Sequence, residues 1–345
     1  MCGLFGFNTV PGALSRQQRA LLAALLGSQN DDRGGHSWGF LDLSTTKVHK
    51  GLGSISKAAY RLAASQNVMA HTRFATTGDA TKENAHPFRI GDVIGAHNGT
   101  INGHSALNTK YNRNFAVDSM HILGHISEGL PLSEISGYGV ITWVRRDETN
   151  RLSLPYVCNL RMGDIAVAGL GTPDATSGVV WSSDKDHLSR AMNGAGIAKW
   201  FMYKSPAEGV VHELSPRGLF VTKEEMRLSA SALTKSWESY KGSKGGYGGY
   251  ASWRGHSVFD DSDWGADGFT AGDEHEANDE SLSILDDDRP VEDQVSYVEL
   301  VSRVSRYKSI WNMALPPPPS SSMWLHDYAS MPEPKPAKLQ ASSNN

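Results

Sequence analysis

The opening run Leu4-Phe5-Gly6-Phe7 reads as a short strand, and Pro11-Gly12 turns the chain after it. Ser15 followed by Gln18 is a capping-box signal. Leu21, Leu22, Leu25 and Leu26 then share one helical face, and Gly27 predicts the stop. A second strand is expected at Phe40-Leu41-Asp42-Leu43. Val117-Asp118-Ser119 precedes Met120, Ile122, Leu123 and Ile126, which predicts a helix ending at Gly129. From Tyr138 the pattern changes to strands: Gly139–Val144, Leu154–Leu160, Ile165–Leu170 and Gly178–Ser182. Ser183-Asp184 caps a short helix through Leu188 and Met192, and strands follow at Trp200–Tyr203, Val210–Leu214 and Gly218–Thr222. Many antiparallel-type strands with two or three helices predict a layered α+β domain.

A chain of 345 residues is long enough for one large domain or two ordinary ones. A net charge of -4 gives no general signal for nucleic acid or a membrane surface. Two cysteines, Cys2 and Cys158, make neither a disulfide framework nor a zinc spacing and fit a reducing compartment. Cys158 lies in an apolar strand and reads as a buried hydrophobe. Without an apolar run long enough to span a bilayer, a soluble cytoplasmic protein is expected.

The candidate chemistry starts at Cys2. Trimming of Met1, expected because the second side chain is small, leaves a thiol and a free α-amine on one residue. An α-amine titrates near pH ~8, so it can take the thiol proton, and nucleophile and base become one amino acid. The alternative is a chance second-position cysteine. Downstream, the glycine-dense loop Arg33-Gly34-Gly35-His36-Ser37-Trp38-Gly39 implies close backbone approach. The stretch from His71 to Gly99 is more specific, with short apolar segments between polar and glycine residues, as when strand ends converge on a pocket. Arg73 has the geometry to clamp a carboxylate, or to make a structural ion pair. Asn98 and the Gly99 N–H together can form an oxyanion hole, although Asn-Gly is also the commonest hairpin turn. Asp118 can cap a helix or bind a ligand ammonium group. His71, His86, His97 and His104 do not show a metal-ligand spacing, so neither a metal nor a cofactor is expected.

Together these pieces resemble the class II glutamine amidotransferases, whose nucleophile is an N-terminal cysteine, and in pattern the glutaminase domain of glucosamine-phosphate synthase. The Met1-Cys2-Gly3 start, the Arg33–Gly39 loop, the His71–Pro87 block and His97-Asn98-Gly99 followed by Asp118 match in order and approximate spacing. The resemblance covers about two-thirds of the chain and implies a four-layer αββα sandwich of two antiparallel sheets, of the N-terminal-nucleophile hydrolase type. It implies that Cys2 attacks the glutamine side-chain amide and that Asn98 and Gly99 hold the oxyanion. Arg73 would bind the α-carboxylate and Asp118 the α-ammonium, with Thr76 and Thr77 lining the pocket. Arg33 and Gly34 would brace the loop beside the N-terminus. Three positions depart from the family pattern. His36 stands for a common aspartate, Phe74 for a frequent tryptophan and Thr77 for a frequent histidine. None removes a catalytic group; they bear on loop closure and on coupling to an acceptor.

The domain is expected to span residues 1–227. Residues 228–290 read as a disordered Gly/Ser/Tyr-rich and then acidic linker, with twelve Asp and Glu and no Lys or Arg between Asp260 and Asp288. Residues 291–315 place Tyr297, Val301, Val304 and Trp311 at helical spacing, an amphipathic helix by pattern. Residues 316–345 form a Pro-rich tail. A second catalytic domain is not legible, so the expected partners are glutamine and a separate ammonia-accepting synthase or ligase, with homo-oligomerisation left open. Two other functions fit the same residues: hydrolysis of another γ-glutamyl amide or peptide, and a non-catalytic binding or regulatory role on the same scaffold.

Overall fold

The computed structural model describes residues 2–230. The expectations for an acidic linker, a helix at 291–315 and a Pro-rich tail lie outside the described residues, apart from the first three residues of the linker.

Thirteen strands among the described residues form two sheets, and every strand pair is antiparallel. The first strand, β1 (Gly3–Thr9), is followed by the helix α1 (Arg16–Asp31) and the strands β2 (Ser37–Asp42) and β3 (Val48–Leu52). After α2 (Ala59–Ala64) come β4 (Val68–Arg73), β5 (Phe88–Ile90) and β6 (Val93–Ile101). Helices α3 (His104–Lys110) and α4 (Met120–Glu128) lead into β7 (Gly137–Arg145), β8 (Tyr156–Arg161), β9 (Ala166–Thr172) and β10 (Ala175–Ser182). The last elements are α5 (Lys185–Gly194), β11 (Trp200–Met202), β12 (Val210–Ser215) and β13 (Gly218–Glu225). The first sheet has the order β11-β9-β10-β1-β4-β2-β3, and the second β13-β12-β8-β7-β6-β5.

The period-two alternation of strand side chains sorts the core into three layers. In β1, Phe5 and Phe7 point to one side, where they pack with Leu22, Leu25 and Leu26 of α1 and Leu188 and Met192 of α5. Leu4 points to the other side and joins Ile94 and Ala96 of β6, Val140 and Val144 of β7 and Trp181 of β10 between the sheets. On the far face of the second sheet, Ile141, Trp143 and Cys158 pack with Leu107 of α3 and Ile122, Leu123 and Ile126 of α4. Helix, sheet, sheet, helix is the resulting order. The expected αββα sandwich is the fold of the described core. Each fully buried large apolar side chain contributes about 1.5–3 kcal/mol to holding these layers together.

Local signals explain most boundaries. Ser15 and Gln18 form the reciprocal capping box that starts α1, and Asp184 caps α5 by accepting the N–H groups of Asp186 and His187. Gly129, at φ 68, ends α4 as expected. Gly27 does not end α1: the helix runs on to Asp31. A Cβ at Gly27 would lie 3.0 Å from Leu62 and 3.3 Å from Ile55, so this glycine serves close packing against α2 and the turn before it. The packed core also continues past residue 227. Leu228 is buried, and the Ser229 N–H donates to the Ile135 carbonyl at 2.9 Å.

Gly39 of β2 faces the inter-sheet space, where a Cβ would lie 2.1 Å from the His86 carbonyl oxygen, a backbone atom. Gly35, three residues after α1's neighbour Asp32, would meet nothing within 4 Å. Gly39→Ala is therefore expected to lower stability by about 1–3 kcal/mol in urea denaturation, and Gly35→Ala to change it by less than about 0.5 kcal/mol. Equal midpoints for the two variants would show that β2 is not held against the His86 backbone.

Candidate active site

Cys2 precedes β1, which lies between β10 and β4 in the middle of its sheet. Gly3 pairs with Thr72, so Cys2 comes level with the end of β4. There the Phe74 N–H donates to Cys2 Sγ at 3.3 Å, and the thiol donates to the Phe74 carbonyl at 3.5 Å. The Arg33 Nε donates to the Cys2 carbonyl at 3.0 Å, and an Arg33 Nη lies 3.7 Å from Asp184. At Gly3 any side chain is excluded, because a Cβ would sit 2.5 Å from Asn30 Oδ1 and 2.7 Å from Thr72 Oγ1. A Cβ at Gly34 would likewise lie 2.7 Å from the Thr72–Arg73 backbone. The glycine loop thus closes on β4 directly beside Cys2.

Burial raises the Cys2 thiol above its ordinary value, against the lowering effects of the Phe74 N–H and of Arg73. Asp118 pushes it further up. The thiol is therefore protonated at neutral pH and needs a proton acceptor to become a nucleophile. Arg73 and Asp118 both lie close enough for their charges to act on it in opposite senses.

Asn98 and Gly99 come from the other sheet. They do not form a hairpin turn; they sit inside β6, where Asn98 pairs with Val140 and Gly99 with Gly139. A Cβ at Gly99 would be 2.0 Å from the Tyr138 carbonyl oxygen, which accounts for glycine there without a turn. The Asn98 Nδ2 donates to Ser183 Oγ at 3.1 Å. Asp118 is buried and does not cap α4; its Oδ2 accepts the Ile101 N–H at 2.7 Å, which anchors the residue to the end of β6.

Arg73 is buried, and its guanidinium donates to the carbonyls of Thr77, Gly78 and Asp79, the last at 3.0 Å. It therefore ties down the loop that carries Thr76 and Thr77. An ion pair is not what holds it there. Two of the positions that depart from the family pattern meet: the His36 ring stacks on Phe74 at 4.6 Å between centroids, and its Nδ1 accepts the Ala75 N–H at 2.9 Å.

Sequence reasoning passed over Ser183, which it read only as part of a helix cap, and over the buried imidazoles. The His71 and His86 rings lie against each other tilted by 44°, with centroids 4.1 Å apart, and His97 bonds Ser119 Oγ and the Tyr138 carbonyl. Among the described residues, none of these histidines belongs to a group of three or more ligating side chains arranged for a metal. For His71 and His97 the sequence signal for burial is their place within the apolar strands β4 and β6; His86, in the loop before β5, carries no such signal. A cavity of about 380 Å³ lies elsewhere, lined by residues around Leu130, Arg145 and Met226, and none of the residues above borders it.

No family model matches the chain. Over 117 residues it is 36% identical to the isomerizing glutamine–fructose-6-phosphate aminotransferase of Chlorobaculum tepidum, covering 31% of this chain and 18% of that protein. The chain resembles the class II glutamine amidotransferases. Two solved structures are also similar. An allosteric regulatory enzyme of purine biosynthesis is 17% identical, with a TM-score of 0.48 over 66% of this chain and 50% of that one. The Bacillus subtilis glutamine phosphoribosylpyrophosphate amidotransferase, complexed with ADP and GMP, is 18% identical with the same TM-score and coverage. The chain thus spans half the length of these structures and less than a fifth of the curated relative.

Burial pushes His71 down to about 3 and His97 to about 4, and holds His86 well below 6.5. Each is neutral when folded near neutrality and gains a proton on unfolding near the ordinary value of about 6.5. Their stabilising effect is full above that value and is lost as pH falls toward the folded values. Calorimetric unfolding at about pH 5.5, in buffers of different ionisation enthalpy, is expected to take up about three protons or more. Zero net uptake, or release, would show that these rings are already charged in the folded chain.

Proposed function

We propose that the described core is a glutamine amidohydrolase whose nucleophile is Cys2. The observation that carries this reading is the meeting of three groups from separate parts of the fold. They are a thiol just ahead of the central strand β1, an Asn98 amide of β6 joined through Ser183 to Leu4 of β1, and two side chains of opposite charge, Arg73 and Asp118, that both act on the thiol.

With Met1 removed, the Cys2 α-amine takes the thiol proton and Sγ bonds to the glutamine side-chain carbonyl carbon. The negative charge on oxygen is met by the Asn98 amide and the Gly99 N–H. The C–N bond breaks, the proton held by the α-amine passes to the leaving nitrogen, and ammonia departs. A γ-glutamyl thioester remains on Cys2. Water adds to it and the C–S bond breaks, which gives glutamate and the free thiol. A zwitterionic amino acid needs one cation and one anion at fixed separation. Arg73 supplies the first for the α-carboxylate and Asp118 the second for the α-ammonium, with the Thr76–Thr77 loop closing over them. Arg33 holds the Cys2 carbonyl, so the residue that bears both nucleophile and base cannot swing away. Gly34 allows this loop to lie against β4. The ammonia would serve a synthase or ligase.

Intact mass tests both processing and pocket. Treatment with 6-diazo-5-oxo-norleucine is expected to add one adduct, on Cys2, to a chain that has lost Met1. Cys2→Ala should abolish both labelling and ammonia release while the thermal transition is kept. A retained Met1, or a processed chain that labels no better than Cys2→Ala, would remove the nucleophile assignment. Turnover of γ-glutamyl peptides without turnover of glutamine would move the substrate to another γ-glutamyl amide.

A further inference from the structure

Ser183 follows the last residue of β10 and is 3% exposed. Its backbone N–H donates to the Leu4 carbonyl at 2.8 Å, and its hydroxyl oxygen accepts the Leu4 N–H at 2.9 Å. The pairing of β1 with β10 ends at Phe5–Ser182, so Ser183 continues the ladder by one step, with a side chain in place of a carbonyl. The same oxygen accepts the Asn98 Nδ2 at 3.1 Å. Asn98 belongs to the opposite sheet. One buried hydroxyl therefore joins the backbone two residues after Cys2 to the amide of β6.

We infer that Ser183 is a positioning residue, which sets the Asn98 amide relative to the Cys2 thiol and so aligns the oxyanion site across the two sheets. The inference rests on the hydrolase reading above. An amide nitrogen carries two N–H groups. With one given to Ser183, the NH2 end of the amide is fixed in place and the second N–H is left for the developing oxyanion. Ser183 can accept both bonds because an sp³ oxygen has two lone pairs, and alanine can accept neither. Replacing it leaves a buried Leu4 N–H without a partner and frees the amide to turn.

The test compares Ser183→Ala, Asn98→Ala and the double variant in the full chain, with ammonia release from glutamine as the assay. Ser183→Ala is expected to lower kcat by about tenfold or more with KM within about twofold, because the lost alignment acts on the transition state rather than on binding. The double variant should be no slower than Asn98→Ala alone, since the hydroxyl acts through that amide. Hydrogen exchange at the Leu4 amide, which does not depend on catalysis, should quicken in Ser183→Ala. Ser183→Thr keeps the hydroxyl and should keep kcat within about threefold, and it decides the matter if the alanine variant does not fold. Multiplicative losses in the double variant, unchanged kcat in Ser183→Ala beside a disabled Asn98→Ala, or a threonine variant that folds but is as slow as alanine would each overturn the inference alone. Full activity in Asn98→Ala would overturn the oxyanion assignment and this inference together.

Discussion

The described core depends on how tightly β1 is held. It pairs on one side with β10 and on the other with β4, and its side chains enter two different hydrophobic layers. Phe5 and Phe7 cannot leave the helical layer, nor Leu4 the inter-sheet layer, without exposing surface worth a few kcal/mol each. The strand therefore cannot slip by one residue, since that would exchange the two faces. Cys2 is one residue beyond this fixed register. Its sulfur is held by the Phe74 backbone and its carbonyl by Arg33, so the position of a nearly terminal residue is as well defined as that of a core residue. The proposed use of Cys2 as both nucleophile and base has the same requirement, because both groups move together.

Around that fixed point glycines stand where neighbouring atoms leave no room for a side chain. Gly3, Gly34, Gly39 and Gly99 each stand where a Cβ would collide with an atom closer than 3.0 Å. Buried imidazoles lie beside them. His71 is fully buried and kept neutral by that burial, with Arg73 acting in the same sense, so it adds nothing to the positive charge of Arg73. A charged ring at that depth would cost several kcal/mol and would repel the neighbouring Arg73 guanidinium. Arg73 and Asp118 are charged side chains that act on the thiol with opposite signs.

Strands with strict alternation and helices with side-chain caps were legible in the chain. Ser15, Gln18, Asp184 and Gly129 did in the structure what their types predict. The misreadings share one cause, which is that glycine has two uses. Gly27 reads as a helix stop, and Asn98-Gly99 carries a hairpin turn as the alternative to an oxyanion hole, because conformational freedom is the commoner reason for glycine, whereas here both glycines make room for a neighbour. Nothing local distinguishes the two uses; the neighbour that decides lies 28 or 35 residues away for Gly27, at Ile55 and Leu62, and at Tyr138 for Gly99. Ser183 escaped notice for a similar reason. A serine before an aspartate at a helix start looks complete as a cap, and its partners Leu4 and Asn98 come together only when both sheets are in place.

The positions that depart from the family pattern also gain meaning only in three dimensions. Singly, His36 and Phe74 read as two changes near a pocket. In the fold they are one contact, a stacked pair whose imidazole also accepts the Ala75 N–H. The backbone of Phe74 is what brackets the Cys2 sulfur, so this pair supports the segment that supports the thiol. The Nδ1 that accepts from Ala75 must be the unprotonated nitrogen, which places the ring proton on Nε2. A carboxylate at position 36 could offer the same acceptor but not the stacking face, and an aromatic at 74 without a flat partner would lose its cover on the exposed side. The two residues therefore act as a single loop-holding device, and the loop they hold carries Thr76, Thr77 and the carbonyls that engage Arg73.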